Sequence, residues 1–303
     1  MKRRLRSESP KGRGRGFKCV VAAAAVAIGA GVFATPKPAA AQEIQITGPL
    51  AGAPAVRKLR LYREGRFEVA VGGGFTLLDE YKRTIFISGR LQYNIFDWLG
   101  IGVFGGFAPD ALSLNTDLTD KIEDTPAPRN SRTATNLPSE QARAAGQKFE
   151  DQTGRFGWIA TPQLTFSPFR GKLALFQKIF VDTDLYVHGG VAFVGVKERG
   201  ECGGPGQITC TDPNSFKAVD RVAIAPSFGL GLTLYPANFL SINFEYRAFP
   251  FSYNRGGFDS RGSGPDASFP DNRIDSEDRT FKFNQLMFVA LGFHFPTSPK
   301  ISD

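Results

Sequence analysis

The stretch Asp278–Phe295, DRTFKFNQLMFVALGFHF, constrains the fold more than any other part of the chain. Phe281, Phe283, Met287, Val289, Leu291, Phe293 and Phe295 recur at every second position, interrupted only by Gln285. Successive side chains leave a β-strand on opposite faces, so a period of two over this length predicts one long strand. Strands in soluble sheets are usually shorter. The other face carries Lys282, Asn284, Ala290, Gly292 and His294, with Leu286 and Phe288 at mid-span. An apolar face with aromatic ends and a small or polar reverse face suits lipid outside and a filled lumen inside.

The N-terminus predicts export. Eight Lys and Arg residues between Lys2 and Lys18 form a basic segment, followed by an apolar run from Cys19 to Ala34. That run is short for a membrane span, and Ala39-Ala40-Ala41 before Gln42 is a small-residue cleavage site. Residues 1–41 therefore read as a secretory signal peptide, cut between Ala41 and Gln42. They hold nine Lys/Arg and one acid, leaving 28 residues of each sign in the remainder. The basic character of the whole chain thus belongs to the signal and gives no support to nucleic-acid binding. Cys202 and Cys210 are the two cysteines left. In an oxidising compartment a pair within one Gly-rich loop is most simply a disulfide; a metal site is the rival, but no His lies nearby.

Residues 42–64 read as a periplasmic arm and 65–295 as the barrel, with a periplasmic tail at 296–303. Alternation predicts strands at Gly65–Thr76, Thr84–Phe96, Trp98–Phe107, Phe156–Phe166, Asp184–Val196, Arg221–Tyr235, Phe239–Phe249 and Phe281–Phe295, the fourth with Phe156, Trp158, Leu164 and Phe166 outside. The predicted fold is an all-β, transmembrane, antiparallel up-and-down barrel of eight strands. The connections 77–83, 108–155, 197–220 and 250–277 are mostly long, whereas the intervening ones are short apart from 167–183. Short periplasmic turns, longer outside loops and an even strand number are the pattern of outer-membrane barrels. Residues 167–183 are the ambiguous connection. Their apolar piece, 172–180, reads either as an interfacial helix or as a strand extension, and hidden strands here would make ten.

The closing strand is similar to that of bacterial outer-membrane barrels, whose assembly signal alternates apolar residues and ends on Phe. That likeness makes Phe293 and Phe295 the candidate assembly signal, read by the barrel-assembly machinery. The stretches LYREGRFEVAVGGGF, TIFISGRLQYNIFDWLGIGVFGGFAP and GKLALFQKIFVDTDLYVHGG resemble a bacterial outer-membrane β-barrel domain family of the myxobacterial type. The architecture is also similar to small barrels of the OmpA and OmpX type. The resemblance implies fold and outer-membrane location rather than an activity.

Eight strands leave an interior that side chains can fill. The inward set includes Glu68, Arg90, Arg221, Glu245, Arg247 and Lys282. Charges of both signs in a confined lumen must pair or stay hydrated, so these six are expected to form an ion-pair plug. A gate passing small ions is the sharper alternative. An outer-membrane enzyme needs a base near a usable nucleophile, and only His188 and His294 exist, neither placed at the outer rim. No catalytic, cofactor or metal motif is found; the acids near Asp271–Asp278 lack calcium-loop spacing. The loops 108–155, 197–220 and 250–277 are the surfaces for any external ligand.

Overall fold

The computed structural model describes residues 62–126, 130–175, 179–263 and 269–298; the signal segment, its cleavage site and most of the N-terminal arm lie outside them. Among the described residues eight long strands form the barrel: β1 Phe67–Leu77, β2 Lys82–Asn94, β3 Leu99–Phe107, β4 Arg155–Leu175, β5 Ile179–Arg199, β6 Ala218–Ala237, β7 Leu240–Tyr253 and β8 Thr280–Phe295. Each pairs antiparallel with the next, and β1 pairs with both β2 and β8. Phe67 stands opposite Tyr93 on one side and Phe295 on the other, so the sheet closes on itself and has no edge strand.

Side-chain parity follows the alternation. Val71, Ile87, Ile101, Val222, Ile224, Leu230 and Leu291 point outward and are exposed, up to 67 % for Ile224. A water-soluble domain does not leave so continuous an apolar surface uncovered. Lipid is the solvent that suits it, and a closed sheet leaves no whole strand edge unpaired there. Phe293 and Phe295 lie on this outer face, opposite Val69 and Phe67.

Two expectations about β4 need correction. Phe156 is buried in the lumen, not outside. The β4–β5 register slips between Phe156 and Trp158, so a bulge at Gly157 reverses parity above it. Residues 169–175 and 179–183, expected as part of a connection, are ladder. A second slip between Phe166 and Phe169 accommodates Pro168, and pairing resumes from Phe169–Leu185 down to Leu175–Ile179. The strand-extension reading holds, and the barrel has eight strands rather than ten.

The connection 108–155, expected as a surface loop, carries among its described residues a 3-10 turn, a short strand Ser113–Asn115 paired with the start of β2, and four short helices. Its Phe149 is buried and stacks on Phe258 of the connection 250–277 at 5.7 Å, with Tyr81 edge-on to both at 5.8 Å. The loops are thus folded against one another. Cys202 and Cys210 are disulfide-bonded as expected, with Cα atoms 5.1 Å apart.

Candidate functional site

The lumen is filled in two storeys. At the loop end, Phe86, Phe104, Phe156, Ile159, Val194, Phe249, Leu286 and Phe288 form one buried apolar cluster. Nearer the turn end, the inward positions of β1, β2, β5 and β7 carry polar and charged groups, because their alternate residues are Glu68, Arg90, Tyr186, Asn243, Glu245 and Arg247. All six are buried.

Arg90 is the hub. It donates to Glu68 Oε1 at 2.7 Å, Glu245 Oε2 at 2.8 Å, Asn243 Oδ1 at 3.1 Å and the Tyr186 hydroxyl at 2.5 Å. Tyr186 donates in turn to Glu245 Oε2 at 2.8 Å. The other Glu245 oxygen takes Arg247, which also donates to Gln163 Oε1 at 2.8 Å. Asn243 donates to Glu68 Oε1 at 3.0 Å and accepts from Thr233 at 2.7 Å. Two carboxylates and two guanidinium groups therefore balance within one shell. These partners offset part of the large desolvation cost of such ions. The Arg247 guanidinium also lies 3.9 Å over the Phe104 ring, so the polar storey ends directly on the aromatic one.

Glycines on β6 make room for this packing. Gly231 faces Tyr186 and Gly229 faces His188 across the β5–β6 ladder. A Cβ at Gly231 would fall 2.2 Å from the Tyr186 ring, and one at Gly229 would fall 2.0 Å from the Tyr246 carbonyl oxygen. Small residues opposite aromatic ones keep the narrow interior fillable.

Of the six inward charges expected to associate, the structure brings together Glu68, Arg90, Glu245 and Arg247. Arg221 and Lys282 have inward parity but sit too near the loop end to join them. Arg221 Nε pairs with Glu198 Oε1 at 2.5 Å, and Lys282 Nζ with Glu80 Oε1 at 2.9 Å. Parity is a property of one strand, whereas height depends on the stagger between strands. Tyr186, Asn243 and Gln163 belong to the cluster although they are uncharged; their inward parity was the available signal.

Arg63 is a member that no alternation could reveal. It precedes β1, in the segment expected to be a free arm, yet its side chain is buried at the turn end. Its Nε lies 3.2 Å from Asp184 Oδ2 and its guanidinium donates to the Tyr235 hydroxyl at 3.4 Å. Asp97, in the β2–β3 turn, holds the backbone in place by accepting from Arg63 N at 2.7 Å and Glu64 N at 3.1 Å. Burial opposes charge on Asp97, but those two N–H bonds and Arg170 hold its carboxyl below the usual range. Nearby, His294 shares a hydrogen bond of 2.9 Å with Ser241 inside the barrel.

Arg199 performs a similar office at the loop end. It donates to the carbonyls of Ser215 at 2.9 Å, Thr135 at 2.7 Å, Gly257 at 2.9 Å and Cys210 at 2.9 Å. One buried guanidinium thereby ties the three long connections together, over the Phe216 ring at 4.1 Å. Glu198 beside it accepts Arg279 Nε at 3.0 Å and Asn254 N at 2.9 Å.

No family model matches the sequence, and no curated protein does so either. Among solved structures, the chain is similar to the N-terminal β-barrel domain of Pseudomonas aeruginosa OprF at 10% identity, covering 77% of this chain and 98% of that one, with a TM-score of 0.38. It is similar to Neisserial surface protein A at 9% identity, covering 76% and 98%, with a TM-score of 0.34. For the outer membrane protein OprG from Pseudomonas aeruginosa the values are 9% identity, 77% and 97%, and a TM-score of 0.35. The barrel assignment itself rests on the closed strand pairing of this chain.

Proposed function

We propose that the chain is an integral outer-membrane protein, exported through residues 1–41, whose barrel is a closed scaffold for folded surface loops. One observation carries this reading: the Glu68–Arg90–Glu245–Arg247 cluster and the aromatic storey above it fill the lumen with side chains. Short turns at one end and long loops at the other set the orientation, with the loops outside the cell. The stretches similar to the myxobacterial barrel-domain family support the same location. The burial of His188 and His294 inside the barrel supports a non-enzymatic role. The loops 108–155, 197–220 and 250–277, tied by Arg199, are the surface offered to an external partner.

The test is export and topology in a Gram-negative host. The mature protein is expected to begin at Gln42, to fractionate with the outer membrane, and to migrate differently on gels before and after boiling. Protease added to intact cells should cut only within the loop-end connections. Cleavage confined to the turn end would overturn the orientation, and a soluble periplasmic protein would overturn the whole reading.

A further inference from the structure

The wall of the barrel is not zipped to the same height all round. β6 pairs with β5 from Tyr235–Asp182 up to Ala218–Arg199, and β7 pairs with β8 up to Tyr253–Thr280. Between β6 and β7 the ladder starts at Ala237–Leu240 and ends at Phe228–Ala248. Among the described residues, no ladder pair joins Ala218–Ser227 to Phe249–Tyr253.

Two prolines explain where it ends. The same register carried upward places Pro226 opposite Pro250. The Ser252 carbonyl is turned toward β6, because it accepts from Arg221 at 3.0 Å. Alternate residues of a strand send their main-chain groups to the same edge, so Pro250 faces β6 as well. Neither proline has an N–H, so this position cannot continue the ladder. Side chains stand in for it above. Arg221 supplies the donor to Ser252, and Glu198 on β5 accepts the Asn254 N–H at 2.9 Å while pairing with Arg221 and Arg279. A seam held by such a clasp parts at less cost than one whose ladder must break in lipid.

Both mouths of the seam are apolar. Outside, Val222 and Ile224 of β6 and Phe281 and Phe283 of β8 are exposed, and Phe228 meets Phe283 at 5.5 Å across the foot of the seam. Inside, β6 carries the small Ala223 and Ala225, whereas β7 carries Phe249 and Phe251. Phe156, turned inward by the Gly157 bulge, packs on those two rings at 6.0 and 5.8 Å. The seam therefore joins the bilayer to the aromatic storey without crossing a ladder.

We propose that the β6–β7 seam is a lateral gate that admits an acyl chain of an outer-leaflet lipid to the aromatic storey, with Glu198 and Arg221 as its clasp. The seam faces the bilayer, so the molecule that meets it is lipid, and hydrocarbon finds apolar surface on both sides. The ion-pair cluster below stops the chain, so the gate opens sideways and gives no passage to the periplasm. The choice of leaflet rests on the orientation given above; the closed lumen is unaffected.

The test uses the refolded chain in phospholipid vesicles that contain a lipid with a diazirine on its acyl chain. Light turns the diazirine into a carbene that inserts into whatever it touches, and mass spectrometry locates the adducts. Outward residues such as Ile224 and Phe283 should be labelled in every variant. The parent should also carry adducts on inward Phe249 or Phe251. Arg221→Gln, which weakens the clasp, should raise the inward adducts about tenfold at low light dose, the scale of one hydrogen bond to a charged group. Pro226→Val with Pro250→Val restores both N–H groups and should zip the seam, removing most inward labelling. If Arg221→Gln does not fold, the proline pair decides alone. Inward adducts absent from the parent, or unchanged in the folded proline double variant, would overturn the gate. So would disulfide joining of two copies through Ile224→Cys, which would assign the open edge to a second copy of the chain. Labelling in vesicles does not depend on which leaflet is outer, so failure of the orientation shows separately, as protease cleavage at the turn end of intact cells.

Discussion

Tyr186 on β5 lies directly across the ladder from Gly231 on β6, its ring occupying the space where a Cβ on Gly231 would project. That vacancy lets the Tyr186 hydroxyl reach both Arg90 and Glu245. Gly231→Val should displace the ring and break both bonds. Overpacking costs about 1–3 kcal/mol, and a hydrogen bond to a charged group about 1.5–3 kcal/mol. Urea unfolding of the refolded barrel in detergent should show the combined loss, while Gly171→Ala, at a position with nothing within 4 Å, should unfold as the parent does.

Glu245 bridges the two lumen arginines, one to each oxygen. Glu245→Gln removes the charge that holds both and should destabilise the barrel by about 3–5 kcal/mol, the cost of breaking a buried pair. The double change Glu245→Gln with Arg247→Met should recover part of that loss, since one of the orphaned cations is gone. A double variant weaker than the single one would show that Arg247 is held by Gln163 and Phe104 rather than by Glu245.

Leu291 on β8 is exposed on the outer face, opposite Val71 and Ile242. Leu291→Lys should cost about 2–4 kcal/mol at mid-membrane and reduce insertion strongly. Deleting Phe293–Phe295 should remove the assembly signal together with the pairing to Phe67–Val69. Gels of boiled and unboiled outer-membrane fractions measure both. A truncated protein that kept its heat-modifiable mobility in the membrane would refute the role given to this strand.

The loops carry a pH dependence of their own. Burial raises the Asp278 carboxyl to about 7 against the N–H bonds it accepts from Ser260 and Asp275, with Asp259 and Asp275 adding repulsion. Burial likewise raises Asp79 to about 6, opposed by its bond from Thr76. Folded-state values above the unfolded ones mean that these acids favour the folded loops when protonated. That contribution is lost as pH rises from about 4 to 7. Protease nicking within 250–277 should therefore be slower at pH 5 than at pH 8. Asp278→Asn should flatten the difference.

Legibility in the sequence followed the alternation. β1, β2 and β7 alternate through Glu68, Arg90, Glu245 and Arg247, so the inward face of the four central charges could be assigned from residue order alone, and β8 alternates with one interruption at Gln285. Two places where the pattern broke, Gly157 and Pro168, are bulges, which flip parity without ending a strand. They put Phe156 on the wrong side and hid the ladder at 169–175 and 179–183. Arg221 and Lys282 were misplaced in height because stagger between strands leaves no trace in a single strand. Arg63 and Arg199 were invisible for another reason: each is defined by carbonyls and side chains brought from distant segments, which no local pattern encodes.

Single-channel recording in a planar bilayer tests the closed lumen most directly. Refolded protein at neutral pH should insert and show little or no steady conductance, because the ion-pair cluster and the aromatic storey fill the interior. Arg90→Ala, which removes the hub and leaves a space beside Glu68, should produce conducting events on the same traces. A large, stable open state in the unmodified protein would contradict the account.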